Sequence, residues 1–293
     1  MTTPDAPAEW VVAKAGSHHD LLLVRERPWG RIYRYGELWF KINCGGTTYE
    51  PALLDLVKGR SLAPVVVATE PSRGWSLLND AGRSMREIGG SDDEVVERWV
   101  EVLPRYARLQ RSFVGTAEAA LAAGVPDHSS PSLLAGLRRL APSSSRAAEL
   151  LALDLSPLGA TLDASGIPAT VEHGDLHDGN VFVDPGGRVS VIDWGDAAIG
   201  HPFMSLQAVQ WLAMARDWPP DDVRLDAVRD AYLVEWGDPR ALRPVADAAL
   251  RLACVARALS WSRALRDASA EVHAHWDNPV TTSLEELLPP RPE

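Results

Sequence analysis

HGDLHDGN at residues 173–180, followed by VIDW at residues 191–194, is the stretch of sequence that decides the fold. It supplies a carboxylate at Asp175, an amide at Asn180 and a second carboxylate at Asp193. Phosphoryl transfer from a nucleotide needs such a set, since one carboxylate orients the acceptor hydroxyl while an amide and another carboxylate hold Mg²⁺ on the phosphates. A structural hairpin would explain the apolar residues and glycines here, but not the polar residues at its edges. The pattern therefore indicates a phosphotransfer site.

These residues resemble the aminoglycoside phosphotransferase family, whose fold is similar to that of protein kinases. That family reads His-Gly-Asp, four residues, Asn, and then Ile-Asp-Trp, and the match is close through residues 171–202. The resemblance implies an α+β, bilobal, protein-kinase-like fold. Residues 1–80 would form a small β-rich lobe with one helix, and residues 81–293 a larger, mostly helical lobe. It also implies a kinase that uses ATP (GTP is not excluded) and Mg²⁺ to phosphorylate a hydroxyl of a small molecule.

Composition excludes several other classes of protein. The 293 residues are 46% hydrophobic and 24% charged, as expected of a globular protein. Cys44 and Cys254 lie far apart and form no disulfide or metal-ligand pattern, which favours a cytoplasmic protein. No run approaches the ~18 apolar residues of a membrane helix, so we expect no membrane partner.

The net charge of −11 is unevenly distributed along the chain. Residues 1–80 carry nine basic and nine acidic residues, so the whole acidic excess follows them. This excess disfavours nucleic acid as a partner. It would either attract a cationic acceptor, such as an antibiotic or an aminosugar-like metabolite, or only aid solubility. A role in antibiotic resistance, biosynthesis or metabolism remains open.

Periodicity places the secondary structure in two blocks. The first block begins with a loose tail at residues 1–9, and its helix is expected at residues 47–58. Short strands are expected at residues 10–12, 21–25, 31–35, 38–42, 64–68 and 75–78. After a break at residues 79–82 the pattern is mostly helical. Helices are expected at residues 92–114, 205–216, 221–236 and 240–267.

The strand at residues 38–42 carries a candidate phosphate-binding lysine. Lys41 shares a face with Trp39, because side chains alternate along a strand. Kinases need a strand lysine that reaches the phosphates and pairs with a helix glutamate. Lys41 and Glu50 can fill these roles, although a solvated lysine at the end of a strand would look the same.

The resemblance implies further nucleotide contacts. Trp39 would stack on adenine, with packing in the core as the alternative. Ile192 would form the floor of the pocket. The segment of Leu78, Asn79 and Ala81 would be the hinge, whose backbone groups read the adenine edge.

Two departures from the family pattern leave questions open. The glycine-rich loop that covers the phosphates in kinases is missing, and RPWGR at residues 27–31 stands in its place. Arg27 and Arg31 are then the candidates for this role. Ser205 stands where the family commonly carries an acidic residue. His173 is expected to brace the loop by hydrogen bonds, and His177 either contacts the phosphate and acceptor or is an exposed loop residue.

Three other functions compete with a small-molecule kinase. One is a metal-dependent hydrolase with His173, Asp175, His177 and Asp193 as ligands, although that scheme leaves Asn180 without a role. Another is a kinase for a peptide hydroxyl in natural-product biosynthesis. The third is a catalytically inactive nucleotide-binding regulator, which the intact acidic motifs argue against.

Overall fold

An antiparallel sheet of five strands forms most of the amino-terminal part of the chain. The computed structural model describes residues 6–276 and 278–290. The strands are β1 (Leu22–Arg27), β2 (Gly30–Tyr35), β3 (Leu38–Asn43), β4 (Val66–Glu70) and β5 (Trp75–Asn79). Their order is β1-β2-β3-β5-β4, with β1 and β4 at the edges. Helix α2 (Glu50–Val57) follows a 3₁₀ turn at Gly45–Thr47 and joins β3 to β4.

A helix at the amino terminus covers one face of this sheet. Helix α1 (Ala6–Ala15) packs Val11 against Phe40 and Trp75, which form a small core of their own. Because side chains alternate along β3, burial of Phe40 on this outer face turns Trp39 and Lys41 to the opposite, inner face.

The expected tail at residues 1–9 and strand at residues 10–12 were wrong where the structure describes them. Residues 6–15 are helical, and residues 1–5 lie outside the described residues. A run of three apolar residues cannot distinguish a strand from a helix. Four alanines in the surrounding ten residues favour the helix, which the sheet then stabilises by burying Val11.

The rest of the chain is mostly helical and carries two small sheets. The helices before residues 173–180 are α3 (Met85–Ile88), α4 (Asp92–Phe113), α5 (Ala117–Ala122), α6 (Ser130–Leu140), α7 (Ala147–Ala152) and α8 (Ser156–Ala164). Those after it are α9 (Gln207–Ala215), α10 (Val223–Leu233), α11 (Pro239–Ala264), α12 (Ala270–His275) and α13 (Pro279–Glu285). This arrangement confirms the predicted α+β class, with a β-rich amino-terminal part and a helical remainder.

The two small sheets frame the acidic motifs. The remaining strands are β6 (Arg83–Ser84), β7 (Asp127–His128), β8 (Thr170–Glu172), β9 (Val181–Val183), β10 (Val189–Val191) and β11 (Ala198–Gly200). They pair in the orders β10-β9-β6 and β7-β11-β8. Residues 173–180 connect β8 to β9, and residues 192–197 connect β10 to β11, so each motif lies in a connection between the two small sheets.

Across the described residues, no helix combines the length and the apolar character that a membrane crossing requires.

Candidate active site

Three charged residues from separate elements meet on the inner face of the five-stranded sheet. The Nζ atom of Lys41 lies 2.5 Å from Oε2 of Glu50 and 2.5 Å from Oδ1 of Asp193. Although burial favours the neutral amine, the charges of Asp193 and Glu50 raise the pKa of Lys41 above its usual range. Lys41 is therefore an ammonium that joins β3, α2 and the segment after β10.

The first turn of α2 holds the segment that follows Asp193. The second oxygen of the Glu50 carboxylate accepts a hydrogen bond from the backbone N–H of Trp194 at 2.9 Å. The hydroxyl of Tyr49 contacts the backbone oxygen of Gly195 at 2.6 Å. Asp193 has a φ of 65° and a ψ of 63°, a left-handed backbone conformation that residues other than glycine rarely adopt. These contacts fix a strained residue, as is common where a side chain must point at a ligand.

The loop after β8 places a carboxylate and an amide beside this triad. The Asn180 amide nitrogen donates to the backbone oxygen of Asp175 at 2.8 Å and to its Oδ2 at 3.1 Å. The backbone N–H of Ile192 donates to the carbonyl of Asn180 at 3.0 Å, which ties the loop to the end of β10. Asp175, Asn180 and Asp193 consequently line one cleft of about 660 Å³ together with Lys41.

His173 links the two acidic motifs through both of its ring nitrogens. Its Nε2–H donates to the carbonyl oxygen of Ile192 at 2.9 Å, and its Nδ1 accepts the backbone N–H of Asp175 at 3.3 Å. The ring is fully buried, and this burial lowers the pKa of His173. A neutral imidazole with both nitrogens occupied braces the loop.

A glycine allows the two motifs to touch backbone to backbone. Gly174 has a φ of +76°, and a Cβ at this position would lie 2.3 Å from the carbonyl oxygen of Asp196. Asp196 itself lines the cleft, where burial, together with the charges of Asp175 and Asp193, raises its pKa to about 7. Only glycine permits this approach.

The turn between Asp175 and Asn180 is held from the side by α3. The guanidinium of Arg86 donates to Oδ1 of Asp178 at 2.6 and 2.9 Å. His177 accepts the Gly179 N–H on Nδ1 at 2.9 Å, and its Nε2 lies 3.4 Å from Oδ2 of Asp175. Sequence reasoning missed Arg86, because nothing in residues 83–89 marks it as part of a site 92 positions later in the chain.

Side chains of helix α4 form hydrogen bonds with the end of β8 and with the loop that follows it. The hydroxyl of Tyr106 accepts the backbone N–H of His173 at 3.0 Å and lies 3.1 Å from Oγ of Ser205. Gln110 donates to the carbonyl of Val171 at 3.0 Å and to Ser205 at 3.2 Å. Ser205 thus takes part in a buried hydrogen-bond network at the position where the family often carries an acidic residue.

A buried carboxylate at the end of β8 also escaped the sequence reasoning. Glu172 is 2% exposed, and its Oε2 accepts the backbone N–H of Gly174 at 2.9 Å. Its Oε1 lies 3.5 Å from Nδ1 of His128, whose Nε2 lies 3.2 Å from the guanidinium of Arg263. The loop therefore rests on β7 and α11 through side chains that are distant in sequence.

The group of expected adenine contacts does not form part of the lining of the cleft around Lys41 as the described residues define it, although Trp39 shares its face of β3 with that lysine. The guanidinium of Arg34 lies over the Trp39 ring, 4.8 Å from the ring centroid, so one face of that ring is already covered. Leu78 pairs with Trp39 across the sheet. The remaining members of this group are Asn79, Ala81 and Ile192.

The hinge role expected of the segment with Leu78, Asn79 and Ala81 stays a prediction, and one of its backbone groups, the Asn79 N–H, already has a partner. That N–H donates to the carbonyl of Val65 at 2.9 Å, because the pairing of β5 with its neighbour continues to this residue. The carbonyl of Ile192 is likewise engaged, since it accepts the hydrogen bond from His173.

The turn between β1 and β2 closes the cleft at the position expected for the glycine-rich loop. The ring of Trp29 packs on those of Trp261 and Trp276, with centroids 5.7 and 5.2 Å away. Arg25 and Arg27 line the cleft. The expected role of Arg31 is not supported, because Arg31 pairs with Glu26 at 2.6 Å on the opposite face of the hairpin.

A second cavity, of about 550 Å³, opens on the other side of Asp175. Its apolar wall is formed by large side chains of α4, α9 and α11, which are Trp99, Trp211, Leu212, Met214 and Trp261. Its charged residues are Asp175, Asp178, Arg86 and Arg257. Arg86 neutralises Asp178, and Arg257 pairs with Glu286.

The hydrolase hypothesis finds no support. Within residues 6–276 and 278–290, no group of three or more histidine, cysteine, aspartate or glutamate side chains could hold a metal ion. His173 would have to give up both of its hydrogen bonds before either nitrogen could bind zinc. A helical His-x₃-His pair is also excluded, because the segment that contains His173 and His177 is a loop.

Comparison with known proteins agrees with this geometry. The profile of the phosphotransferase enzyme family (APH) matches residues 50–245, more than half of the chain. No curated protein matches the sequence. An ethanolamine kinase from Plasmodium vivax is similar in structure, with a TM-score of 0.63 at 11% identity over 90% of this chain and 82% of that one.

Two antibiotic-modifying enzymes share the same fold. The macrolide 2′-phosphotransferase MphH from Brachybacterium faecium gives a TM-score of 0.57 at 16% identity, over 99% of this chain and 100% of that one. The streptomycin–ATP ternary complex of APH(2″)-IIa gives 0.58 at 14% identity, over 98% and 100%. These similarities confirm the kinase-like fold that the acidic motifs predicted.

The close approach at Gly174 can be tested by substitution. We expect Gly174→Ala to lower the free energy of unfolding by about 1–3 kcal/mol more than Gly187→Ala, because only the first introduces a clash as well as positive-φ strain. Gly187 is the matched control, with a φ of +80° and no atom within 4 Å of the added Cβ. Urea denaturation of both variants measures the difference, and equal losses would show that the contact with Asp196 is not tight.

Proposed function

Because the chain belongs to the phosphotransferase enzyme family, we propose that it transfers the γ-phosphate of ATP to a hydroxyl of a small molecule. The observation that carries this proposal is the position of Asp175. Its carboxylate lies on the wall of the charged cleft that contains Lys41 and Asp193, and also on the wall of the apolar cavity. A group between a phosphate site and an acceptor site is where transfer takes place.

Lys41 is proposed to position the α- and β-phosphates. In kinases this role requires a strand lysine paired with a helix glutamate, which is the arrangement of Lys41 and Glu50. The raised pKa of Lys41 keeps the side chain charged at neutral pH. Trp39 is proposed to stack on the base through the ring face that Arg34 leaves uncovered.

Asn180 and Asp193 would hold Mg²⁺. Amide and carboxylate oxygens suit this hard cation, and the Asn180 nitrogen is already bound to Asp175, which leaves the amide oxygen for a metal. The Asp193 side chain is 41% exposed in the cleft, so it can still reach a ligand while it pairs with Lys41. When bound, the ion neutralises charge on the phosphates.

Asp175 is proposed to orient the acceptor hydroxyl and to accept its proton. The Asn180 amide fixes one carboxylate oxygen at 3.1 Å, and the His177 Nε2 lies 3.4 Å from the same atom. The side chain is 40% exposed, so a hydroxyl can approach it from the apolar cavity. The protein's contribution is then placement and fixed charge.

The acceptor is proposed to present apolar ring surface around its hydroxyl. Three tryptophans, one leucine and one methionine line the cavity. Among the described residues, its lining carboxylates are Asp175 and Asp178. Since Arg86 neutralises Asp178, the acidic wall expected for a cationic acceptor finds no support there.

We expect acceptor preference to follow this wall. With ATP and Mg²⁺, a macrolide should be phosphorylated with a higher kcat/KM than streptomycin or ethanolamine, because apolar rings bury on tryptophan. The cationic groups of the other two acceptors would find Asp178 already paired with Arg86. Mass spectrometry of products one phosphate heavier measures the reaction. As a control, Trp211→Ala should raise the KM for the preferred acceptor more than the KM for ATP. A higher kcat/KM for streptomycin than for the macrolide would contradict the proposal.

Loss of the proposed metal ligand should abolish turnover. We expect Asp193→Ala to lower kcat by ~10³-fold or more, because Asp193 would hold the Mg²⁺ that neutralises the phosphates, and such electrostatic stabilisation is worth several kcal/mol. Lys41 keeps Glu50 as a partner, so the variant should fold. Asp221→Ala, at an exposed carboxylate, is the matched control. A near-normal kcat for Asp193→Ala in the presence of Mg²⁺ would refute the assignment.

Asp175→Asn should separate binding from chemistry. The amide is nearly isosteric but cannot accept the proton, so ATP affinity should persist while kcat and kcat/KM fall together. Calorimetric titration with ATP and steady-state kinetics with the best acceptor measure the two effects. Unchanged phosphorylation of that acceptor would remove Asp175 from the mechanism.

A further inference from the structure

The turn between β1 and β2 lacks the glycines that let backbone amides approach nucleotide phosphates in kinases. A triphosphate in the cleft would nevertheless need donors above it, opposite the Mg²⁺ ligands. The cations on this hairpin are Arg25, Arg27, Arg31 and Arg34, and the register of the strands decides which of them face the cleft.

Strand register places Arg25 above the cleft in line with Lys41. Arg25 pairs with Ile32 across β1 and β2, and Ile32 pairs with Lys41 across β2 and β3. Directly opposed residues of an antiparallel sheet point to the same face, so the three side chains form one row on the inner face. Adjacent strands are about 4.8 Å apart, so the Cα atoms of Arg25 and Lys41 are separated by roughly 10 Å.

The next row of the hairpin faces the other way. Glu26 pairs with Arg31, and Arg31 pairs with Ile42, which packs beside the small core under α1. Arg31 satisfies its charge on that face through Glu26 at 2.6 Å. Within residues 6–276 and 278–290, no ion pair involves Arg25, whose guanidinium is therefore available to an anionic ligand.

Arg27 differs from Arg25 in having partners. Its guanidinium lies 5.9 Å from the ring centroid of Trp276 and donates to the carbonyl of Glu26 at 3.1 Å. It belongs to the aromatic contact through which the turn rests on Trp261 and Trp276. This contact holds the hairpin down over the cleft and so keeps Arg25 near any bound phosphate.

We propose that Arg25 binds the phosphates of the nucleotide, in place of the backbone amides of a glycine-rich loop. The inference rests on the proposed function, since it takes a nucleoside triphosphate as the ligand of the cleft. A guanidinium donates two parallel hydrogen bonds to a phosphate, so one side chain can replace several amides. Lys41 approaches the phosphates from the centre of the sheet, and Arg25 approaches from its edge.

Nucleotide binding by matched variants tests this inference. We expect Arg25→Ala to raise the Kd for MgATP about 10- to 100-fold, as for loss of a hydrogen bond between charged groups, and to leave the Kd for adenosine unchanged. Arg31→Ala is the control on the same hairpin and should bind MgATP within about twofold of wild type, because an exposed ion pair contributes little. Calorimetry gives each Kd, and thermal unfolding checks that each variant folds.

The outcomes separate the inference from the function on which it rests. If Arg25→Ala and Arg31→Ala bind MgATP equally well, Arg25 is no phosphate ligand although the kinase assignment stands. If Arg25→Ala loses adenosine and MgATP in the same proportion, its role is structural and the inference is overturned. If wild type itself binds no MgATP, the proposed function and the inference fail together.

Discussion

The ammonium of Lys41, held between Glu50 and Asp193, is the contact on which the site depends. It joins β3 and α2, which are close in sequence, to the end of β10, about 150 positions later in the chain. A buried ion pair adds little net stability by itself, but loss of one partner costs about 3–5 kcal/mol because a charge is left buried and unpaired. The triad thus fixes the geometry between the parts of the molecule.

Backbone contacts around this triad place Asp175, the proposed acceptor-orienting residue. His173 and Gly174 bring the loop after β8 against the segment after β10, the first through its hydrogen bond to the Ile192 carbonyl and the second through the absence of a side chain. Glu172 and Tyr106 fix the same loop by accepting hydrogen bonds from its backbone N–H groups. Asp175 is therefore supported on several sides while its carboxylate remains partly exposed between the two cavities. Such support lets a catalytic group keep one position without the substrate.

Charge is divided between the two cavities in a way that fits transfer from an anion to a less polar molecule. The cleft beneath the sheet contains Lys41, Arg25 and Arg27 with Asp193 and Asp196, a mixture suited to phosphates and a divalent ion. The neighbouring cavity is lined mainly by tryptophans and aliphatic side chains. The acidic excess of the sequence does not predict this difference, since net charge gives no information on which carboxylates are neutralised by arginine.

The sequence by itself determined the kinase-like fold and the spacing of Asp175, Asn180 and Asp193, because these motifs resemble those of a known family. The meeting of Lys41 with Asp193, 152 positions later in the chain, was expected only by analogy with kinases and took its geometry from the tertiary structure. It misassigned the helix at residues 6–15, where three apolar residues suit a strand and a helix equally well. Arg86, Glu172 and Arg25 and the apolar acceptor wall were decided only by the tertiary structure. Their importance comes from strand register and from contacts between elements far apart in the chain, which local pattern does not encode.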